Sequence, residues 1–301
     1  MRRKEYRYLS PPLRMQNNYD EILVVHLGGL GDMCLAESVF LSCFRHFGNC
    51  LAGLGNRRFL DLFSTYFART YGVESRHWLY LFSEKLTGPV WRRIIFIGKD
   101  RQGALRERWG SYSHEKLIFI DMYPEGSFPD PEKDTSLLPR KKVHVEEYQL
   151  RQLGSLGIEP VKAVVIPKKP GRVILYPEKG FTKGKWVPEN FIVLGDLLEK
   201  NDISRMFLKP AGLDLPGEGV VIHELMEVKR LFAEGGIFVS NDSGMAHFAG
   251  TCGLQTITVF TDFDPAIWHP RGENISLRLN VDNVSVEAVG NMVRGLLERQ
   301  G

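Results

Sequence analysis

The chain has 301 residues, enough for two domains of ordinary size, and its 43% hydrophobic and 25% charged content is typical of a globular protein. Its formal net charge of +3 is too small to indicate a nucleic-acid partner, although it is compatible with an anionic substrate. The four cysteines are widely spread and form no C-x-x-C pair, which favours reduced thiols in a cytoplasmic protein.

No segment of the sequence predicts a membrane-spanning helix or a secretory signal. No apolar run reaches the ~18 residues that a transmembrane helix needs. The basic segment 1–4 is not followed by an apolar stretch, so we do not expect it to direct secretion. A disordered tail is the favoured interpretation of this segment, and a membrane-surface tether is the alternative.

The first half of the chain alternates strands with helices, which is the pattern of a parallel sheet. Strands are predicted at 21–26, 94–97 and 116–121, and helices at 33–47, 58–71 and 143–157. The stretch 123–142 is rich in Pro, Asp and Lys and is predicted to be a long loop, and long loops inside a compact domain are often functional.

The second half repeats this alternation after a proline-rich segment at 158–169, which is the best candidate for a linker. Strands are predicted at 173–176, 206–209, 236–240 and 256–260, and helices at 188–199, 226–234, 244–252 and 284–299. The last helix is a candidate to pack back on the first domain. We therefore predict an α/β protein with an N-terminal extension (1–20), an N-terminal domain (21–157), a linker (158–170) and a C-terminal domain (171–301).

A polar turn follows the strand predicted at 236–240. Asn241, Asp242 and Ser243 stand where a helix begins, and the first N–H groups of a helix have no partner within it. These groups and the helix dipole favour an anion such as a diphosphate, and Gly244 permits a close approach to the backbone. His247, one turn further on, can face the same ligand. An ordinary N-cap beside a half-buried histidine explains the local pattern equally well.

A glycine turn follows the first predicted strand. The apolar run 22–25 shows no alternation, which suits a strand covered on both faces of a parallel sheet. Asp32 is then expected at the carboxyl end of that strand, where ligands of open α/β sheets bind. A cap for the helix at 33–47 is the alternative role for Asp32. The glycines of this turn do not spell the dinucleotide motif G-x-G-x-x-G.

The two turns together resemble those of glycosyltransferase family 9, the ADP-heptose:lipopolysaccharide heptosyltransferases. Leu30-Gly31-Asp32 is similar to the end of the family's N-terminal turn, and the segment 242–247 to its Asp-[Thr/Ser]-Gly-x-x-His element. The segment 175–191 is similar to the family's strand, lysine-rich loop and helix start, and 259–270 to its Thr-Asp-Pro-x-x-Trp-x-Pro element. The resemblance covers about residues 21–300.

The resemblance implies a GT-B fold, in which two Rossmann-like domains face each other across a cleft that holds donor and acceptor. It implies an inverting, metal-independent transfer of a sugar, most simply heptose from ADP-heptose, to a hydroxyl of a lipopolysaccharide core or similar glycan. No cofactor is expected. The acceptor is expected to be lipid-linked or a core oligosaccharide. The protein is expected to be a cytoplasmic monomer without a nucleic-acid partner, and peripheral contact with the inner membrane surface is left open.

The resemblance also assigns roles to individual residues. Asp32 matches the family's base for the acceptor hydroxyl, and the turn glycines Gly28, Gly29 and Gly31 form an acceptor-side loop. The helix start at Ser243 and Gly244, with Lys183 or Lys185, is matched to the diphosphate. Asp242 and His247 are matched to the donor sugar or its phosphates.

Two assignments stay open at this stage. Asp214 and Glu218 follow the strand at 206–209 at a distance that suits contact with a ribose, but solvated loop residues explain them equally well. Asp262-Phe263-Asp264 spells the D-x-D of metal-dependent glycosyltransferases, but the resemblance makes this segment a structural turn in which Pro265 begins the next helix.

Two other functions also remain open. A nucleotide-sugar-binding protein without turnover is one, although the retained Asp32 argues against it. A nucleotide-sugar epimerase of GT-B fold is the other, and the sequence shows no acidic–histidine constellation outside the two turns to support it.

Overall fold

The structure is a computed structural model that describes residues 18–100, 102–125, 127, 142–178, 186–210, 212, 215, 217, 219–279, 281–282 and 284–299. Strands and helices alternate along this part of the chain, as the sequence predicts. They build two parallel sheets, one from each half of the chain.

The N-terminal half is built on a five-stranded sheet. Its strands are β1 (Asn18–His26), β2 (Leu51–Gly55), β3 (Arg69–Gly72), β4 (Trp91–Gly98) and β5 (Ile118–Asp121). They lie in the order β3-β2-β1-β4-β5, and every described pairing is parallel. The helices of this half are α1 (Leu30–Leu35), α2 (Glu37–Phe47), α3 (Arg57–Leu60), α4 (Ala104–Trp109) and α5 (Val145–Ser155).

The C-terminal half is built on a six-stranded sheet. Its strands are β6 (Val173–Tyr176), β7 (Arg205–Lys209), β8 (Gly219–Val221), β9 (Ile237–Asn241), β10 (Gln255–Phe260) and β11 (Asn274–Arg278). They lie in the order β11-β10-β9-β6-β7-β8, again in parallel. The helices are α6 (Pro188–Lys200), α7 (Leu225–Ala233), α8 (Gly244–Thr251), α9 (Pro265–Trp268) and α10 (Val286–Glu298).

The central strand β1 is covered on both faces, which confirms the interpretation of its apolar run. Ile22 and Val24 pack in one apolar cluster with Phe40 of α2. Leu23 and Val25 pack in a second cluster, on the other face, with Trp109 of α4. Alternate side chains of a strand point to opposite faces, so a strand between two layers of helices is apolar at every position.

The helix predicted at 33–47 is two helices, and this correction matters for the site. Ala36 (φ −90°, ψ 0°) separates α1 from α2, and its N–H is shared between the carbonyls of Asp32 and Met33. In addition, α1 begins at Leu30, so Gly31 and Asp32 lie inside its first turn rather than before it.

The helix predicted at 58–71 is also wrong. Only α3 is α-helical there, and a 3₁₀ helix (Asp61–Tyr66) follows it, with Phe63 outside helical geometry at φ −113°. The chain then enters β3, whose Thr70 and Tyr71 are residues that favour strands.

The final helix α10 packs on the C-terminal half in the described part of the chain, and not on the first domain as the sequence suggested. Val289, Val293 and Leu296 share an apolar cluster with Leu194 and Leu198 of α6. The amphipathic face of α10 is therefore buried within the C-terminal half, beside the sheet that it follows.

The two halves are in direct contact through several elements. Helix α1 packs against α8, and one apolar cluster runs from Met33 and Phe40 of the first half to Ala246 and Phe248 of the second. The segment 158–170 forms no helix or strand and connects the halves. The exact domain boundaries stay a prediction. None of the helices within the described ranges is long and apolar enough to span a membrane.

Candidate active site

The two turns that the sequence singles out meet in space. A Cβ atom on Gly31 of α1 would lie 2.9 Å from His247 Cδ2 and 3.3 Å from the Cα of Gly244 in α8. A Cβ on Gly244 would lie 3.1 Å from the backbone nitrogen of Gly31. Both glycines are therefore needed for the N-terminal ends of α1 and α8 to touch. This contact brings the first turn of α1, which contains Asp32, to the turn at 241–243, which the resemblance assigns to the donor (the donor-binding turn).

Asp32 is the third residue of α1, and its half-buried carboxylate accepts two hydrogen bonds. Oδ2 accepts the backbone N–H of Gly29 at 2.8 Å, and Oδ1 accepts the hydroxyl of Tyr123 at 2.8 Å. The bond from Gly29 makes Asp32 a cap of its own helix, which is the alternative that the sequence left open. A carboxylate has about four lone-pair positions, so capacity remains for an acceptor hydroxyl.

His26 contacts the glycine turn that follows β1 and leads to Asp32. It is fully buried at the end of β1, and its Nδ1 accepts the N–H of Gly28 at 3.3 Å. Burial lowers the pKa of His26 to about 4, although the charge of Asp32 works in the opposite direction. A neutral imidazole therefore lies beneath Asp32 at neutral pH. Gly28 is confined between these two side chains, because its Cβ would lie 2.7 Å from Asp32 Cβ and 2.9 Å from His26 Cε1.

The donor-binding turn has the geometry of a capped helix start. The hydroxyl of Ser243 accepts the N–H of Ala246 at 3.3 Å. Within the described part of the chain, the first bonded N–H groups of α8 are those of Ala246 and His247, which reach the carbonyl of Ser243. The N–H groups of Gly244 and Met245 precede them, at the positive end of the helix dipole. Ser243 is thus an N-cap, and the backbone beyond it still offers donors to an anion.

Asp242 and His247 lie side by side at this helix start. His247 Nε2 is 3.7 Å from Asp242 Oδ1, and His247 is only 5% exposed. Its Nδ1 has no hydrogen-bond partner among the described residues. This buried ring nitrogen is a polar atom that a bound ligand or water can satisfy.

Asn241 has a role that the sequence did not reveal. It is buried, its side-chain carbonyl accepts the N–H of Trp186 at 3.1 Å, and its amide donates to the carbonyl of Trp186 at 3.0 Å. The donor-binding turn is therefore tied to the end of the lysine-rich loop. Lys183 and Lys185 themselves lie outside the described residues, as do Asp214 and Glu218.

In the segment 262–264, the carboxylate of Asp264 makes a helix cap and two ion pairs. Asp264 caps α9 by accepting the N–H of Ala266 at 3.0 Å, and it also pairs with Lys142 and Arg278. Partial burial works to raise the pKa of Asp264, but these hydrogen bonds hold it below its ordinary value. The segment is the structural turn that the resemblance predicts, and Pro265 begins the helix. Within the described ranges, no three His, Cys, Asp or Glu side chains are grouped to hold a metal.

Tyr123 is the site residue that sequence reasoning missed. It lies two positions beyond the end of β5, and the parallel strands β1 and β5 both end at the edge of the sheet that carries Asp32. Its ring lies 4.9 Å from that of Trp268 in α9, and the Trp268 indole N–H donates to the carbonyl of Ser127 at 3.2 Å. The segment after β5 is therefore held against the C-terminal half.

A buried ionic cluster joins the two halves behind the site. Arg271 is 3% exposed and pairs with Glu37 of α2, and its Nε lies 2.7 Å from Oε1 of Glu146 in α5. It also donates to the carbonyl of Ala163 in the connecting segment at 2.6 Å. This single side chain from the C-terminal half thus contacts two helices of the N-terminal half and the linker.

The model of the family described as glycosyltransferase family 9 (heptosyltransferase) matches residues 223–289, which include the donor-binding turn and the α9 segment. The chain resembles glycosyltransferase family 9. The match confirms the resemblance stated from the sequence over this region, and it supports a glycosyltransferase. No curated protein sequence matches the chain.

Solved structures share the whole fold. The glycosyltransferase family 9 structure from Veillonella parvula is 14% identical, with a TM-score of 0.70 over 95% of this chain and 99% of its own. E. coli heptosyltransferase WaaC with ADP is 18% identical, with a TM-score of 0.65 over 92% of this chain and 99% of its own. E. coli ADP-heptose LPS heptosyltransferase II is 13% identical, with a TM-score of 0.65 over 93% of this chain and 99% of its own. The predicted fold, two Rossmann-like domains of GT-B type, is confirmed.

Proposed function

We propose that this protein is an inverting glycosyltransferase that moves a sugar from a nucleoside-diphosphate sugar to a glycan hydroxyl without a metal ion. The observation that carries the proposal is the contact between the first turn of α1, which contains Asp32, and the N-terminal end of α8 across the two halves. One side of this contact provides a carboxylate that can take a proton. The other side provides a helix start that can bind a diphosphate.

The two sides match the needs of a displacement at the anomeric carbon. The acceptor oxygen forms a bond to that carbon while the bond to the diphosphate oxygen breaks, which inverts the configuration. The proton of the acceptor hydroxyl passes to Asp32. The negative charge that develops on the diphosphate is stabilised by the N–H groups of Gly244 and Met245 and by the helix dipole.

We propose Asp242 and His247 as ligands of the donor sugar or its phosphates, because both lie at this helix start and His247 Nδ1 is buried without a described partner. Lys183 and Lys185 are proposed to add positive charge near the diphosphate. Asn241 holds Trp186, which follows Lys185 in the chain, beside the turn.

The donor is proposed to be ADP-heptose and the acceptor a lipopolysaccharide core or similar glycan. This proposal is supported by two structures of the similar E. coli heptosyltransferase WaaC, one with ADP and the other with ADP-2-deoxy-2-fluoro heptose. A lipid-linked acceptor also places the reaction at a membrane surface, where we propose a peripheral contact.

A thermal unfolding screen against ADP-, UDP-, GDP- and TDP-sugars tests the donor assignment. A ligand at 100 times its Kd stabilises the folded state by about 2.7 kcal/mol, so the correct nucleotide raises the Tm clearly above the others. We expect stabilisation by ADP and ADP-heptose, and a weaker effect when Lys183 and Lys185 are both replaced by Ala. Selective stabilisation by a different nucleotide overturns ADP-heptose as the donor, and no stabilisation by any of them overturns the proposed function.

A further inference from the structure

We propose that Tyr123 is the positioning residue of the base: its hydroxyl fixes the Asp32 carboxylate in the orientation that accepts the proton, and it does so from a segment held by the C-terminal half. This inference rests on the proposed function of Asp32 and adds a residue that the sequence motifs do not contain.

The first observation is the geometry around the carboxylate. A carboxylate rotates about a broad, roughly two-fold torsion, so a single hydrogen bond leaves its orientation poorly defined. Asp32 receives one donor on each oxygen, from Gly29 to Oδ2 and from Tyr123 to Oδ1, both at 2.8 Å. The two donors approach from different parts of the chain and together define the plane of the carboxylate.

The second observation is that the hydroxyl of Tyr123 remains a donor. Tyr123 is partly buried, and both this burial and the negative charge of Asp32 raise the pKa of its phenol. The phenol therefore keeps its proton at any pH at which the enzyme is expected to work. The imidazole of His26, whose pKa is influenced by the charge of Asp32, is buried and neutral at neutral pH, so it does not compete as a cation.

The third observation is how Tyr123 is held. Its ring packs on Trp268 of α9, with 4.9 Å between ring centroids, and the ring of Phe263 also lies against Trp268, with 5.6 Å between centroids. The Trp268 indole N–H also bonds to the carbonyl of Ser127, four residues after Tyr123. An element of the C-terminal half thus holds both Tyr123 and the backbone of Ser127, which belong to the N-terminal half.

These contacts have a consequence for the reaction. Asp32 is in its two-donor orientation when Trp268 lies against Tyr123, which requires that the two halves are docked. The docked arrangement of the two halves therefore does two things at once. It orients the carboxylate of Asp32, and it brings Gly31 of α1 against Gly244 at the donor-binding turn.

The test is a double-mutant cycle on the purified full chain with ADP-heptose and a glycan acceptor. Tyr123→Phe keeps the ring against Trp268 and removes only the hydroxyl, so the fold is retained, which the Tm verifies. We expect kcat to fall by about 10- to 100-fold, the size of a lost hydrogen bond to a charged group, with donor KM and ADP affinity unchanged. In the Asp32→Asn background, measured over long single-turnover incubations, Tyr123→Phe should change the rate less than about 2-fold.

Tyr148→Phe is the matched control, because that hydroxyl also bonds a carboxylate, Asp121, at 3.5 Å on the exposed surface. It should leave kcat unchanged. Three results would overturn the positioning role alone. They are a kcat of Tyr123→Phe equal to that of the parent, a fall in kcat that is equally large in the Asp32→Asn background, and an effect on donor affinity instead of kcat. If the parent transfers no sugar from any nucleotide sugar, the proposed function falls, and the role of Tyr123 falls with it.

Discussion

The position of Asp32 is compatible with both of the roles that its sequence context allowed. Asp32 caps the first turn of α1 through Gly29, and this turn contacts the start of α8, so its half-buried carboxylate is also available for the proposed role as a base. A cap and a base are compatible because the capping bond uses one lone pair of one oxygen. The structural role explains why Asp32 lies within α1 rather than in the preceding loop, and the chemical role depends on its charge.

Replacement of Asp32 by Asn separates these roles, since an amide oxygen still accepts the N–H of Gly29 but cannot take a proton. We expect kcat to fall by about 10²- to 10⁴-fold, the usual contribution of a general base, with donor affinity and Tm nearly unchanged. Asp100→Asn is the control, because Asp100 caps α4 through the N–H groups of Leu105 and Arg106. Unaltered turnover in Asp32→Asn would show that Asp32 is only a cap.

At the scale of elements, the contact between α1 and α8 assembles the site. Its closeness depends on glycine in both helices, at Gly31 and Gly244. The sequence suggested that Gly244 leaves room for a ligand, but the position of its missing side chain is filled by Leu30 and Gly31. The proposed anion donors are therefore the N–H groups of Gly244 and Met245, and not the side of Gly244 that faces α1.

Gly31→Ala tests this contact. Its Cβ would overlap His247 at 2.9 Å and approach the backbone of Gly244 at 3.3 Å, so we expect a loss of about 1–3 kcal/mol in the free energy of unfolding, as for other overpacked sites. Urea titration measures this loss. Gly154→Ala in α5 is the control, because nothing lies within 4 Å of its Cβ. This change should stabilise the helix by about 0.5–1 kcal/mol. Equal stability of the Gly31→Ala variant and the parent would contradict the close contact.

Some elements could be predicted from sequence and others could not, for physical reasons. Strands β6, β9 and β10 are buried along their whole length, and their predicted positions are confirmed to within a residue or two. Strand β2 was missed because two glycines in five residues weaken its strand signal, and β8 because it is short and exposed. The bond from Tyr123 to Asp32 spans 91 residues and leaves no local pattern, so only the fold reveals it.

At the scale of the whole molecule, buried polar groups connect the halves. Arg271 joins α2, α5 and the connecting segment, and His144 Nε2 lies 2.9 Å from the carbonyl of His269 across the two halves. The rings of His144 and His269 stack with 4.0 Å between centroids. Burial first, and the neighbouring His269 second, lower the pKa of His144 to about 3.

This interface predicts a pH dependence. In the unfolded chain both His144 and His26 titrate near pH 6.5, whereas their folded pKa values are about 3 and about 4. Since the unfolded state binds more protons below pH 6.5, the free energy of unfolding falls as the pH decreases from 6.5 towards 4. Each histidine contributes up to about 1.4 kcal/mol per pH unit. Urea titrations between pH 7 and 4 measure how steeply the free energy of unfolding falls with pH. In His144→Asn, the part of this slope that is due to the two histidines should be about half of that in the parent. A slope equal to that of the parent would mean that His144 is not buried as a neutral group.

The central claim is that a base from one half and a helix start from the other transfer a sugar with inversion and without a metal. The most direct measurement is an NMR analysis of the product formed from ADP-heptose of defined anomeric configuration and a glycan acceptor, in excess EDTA. We predict a glycoside with the opposite anomeric configuration and stoichiometric release of ADP, both formed at least about 10²-fold more slowly by Asp32→Asn. A product that retains the donor configuration, an epimerised nucleotide sugar, or a reaction that EDTA abolishes and Mg²⁺ restores would contradict the account.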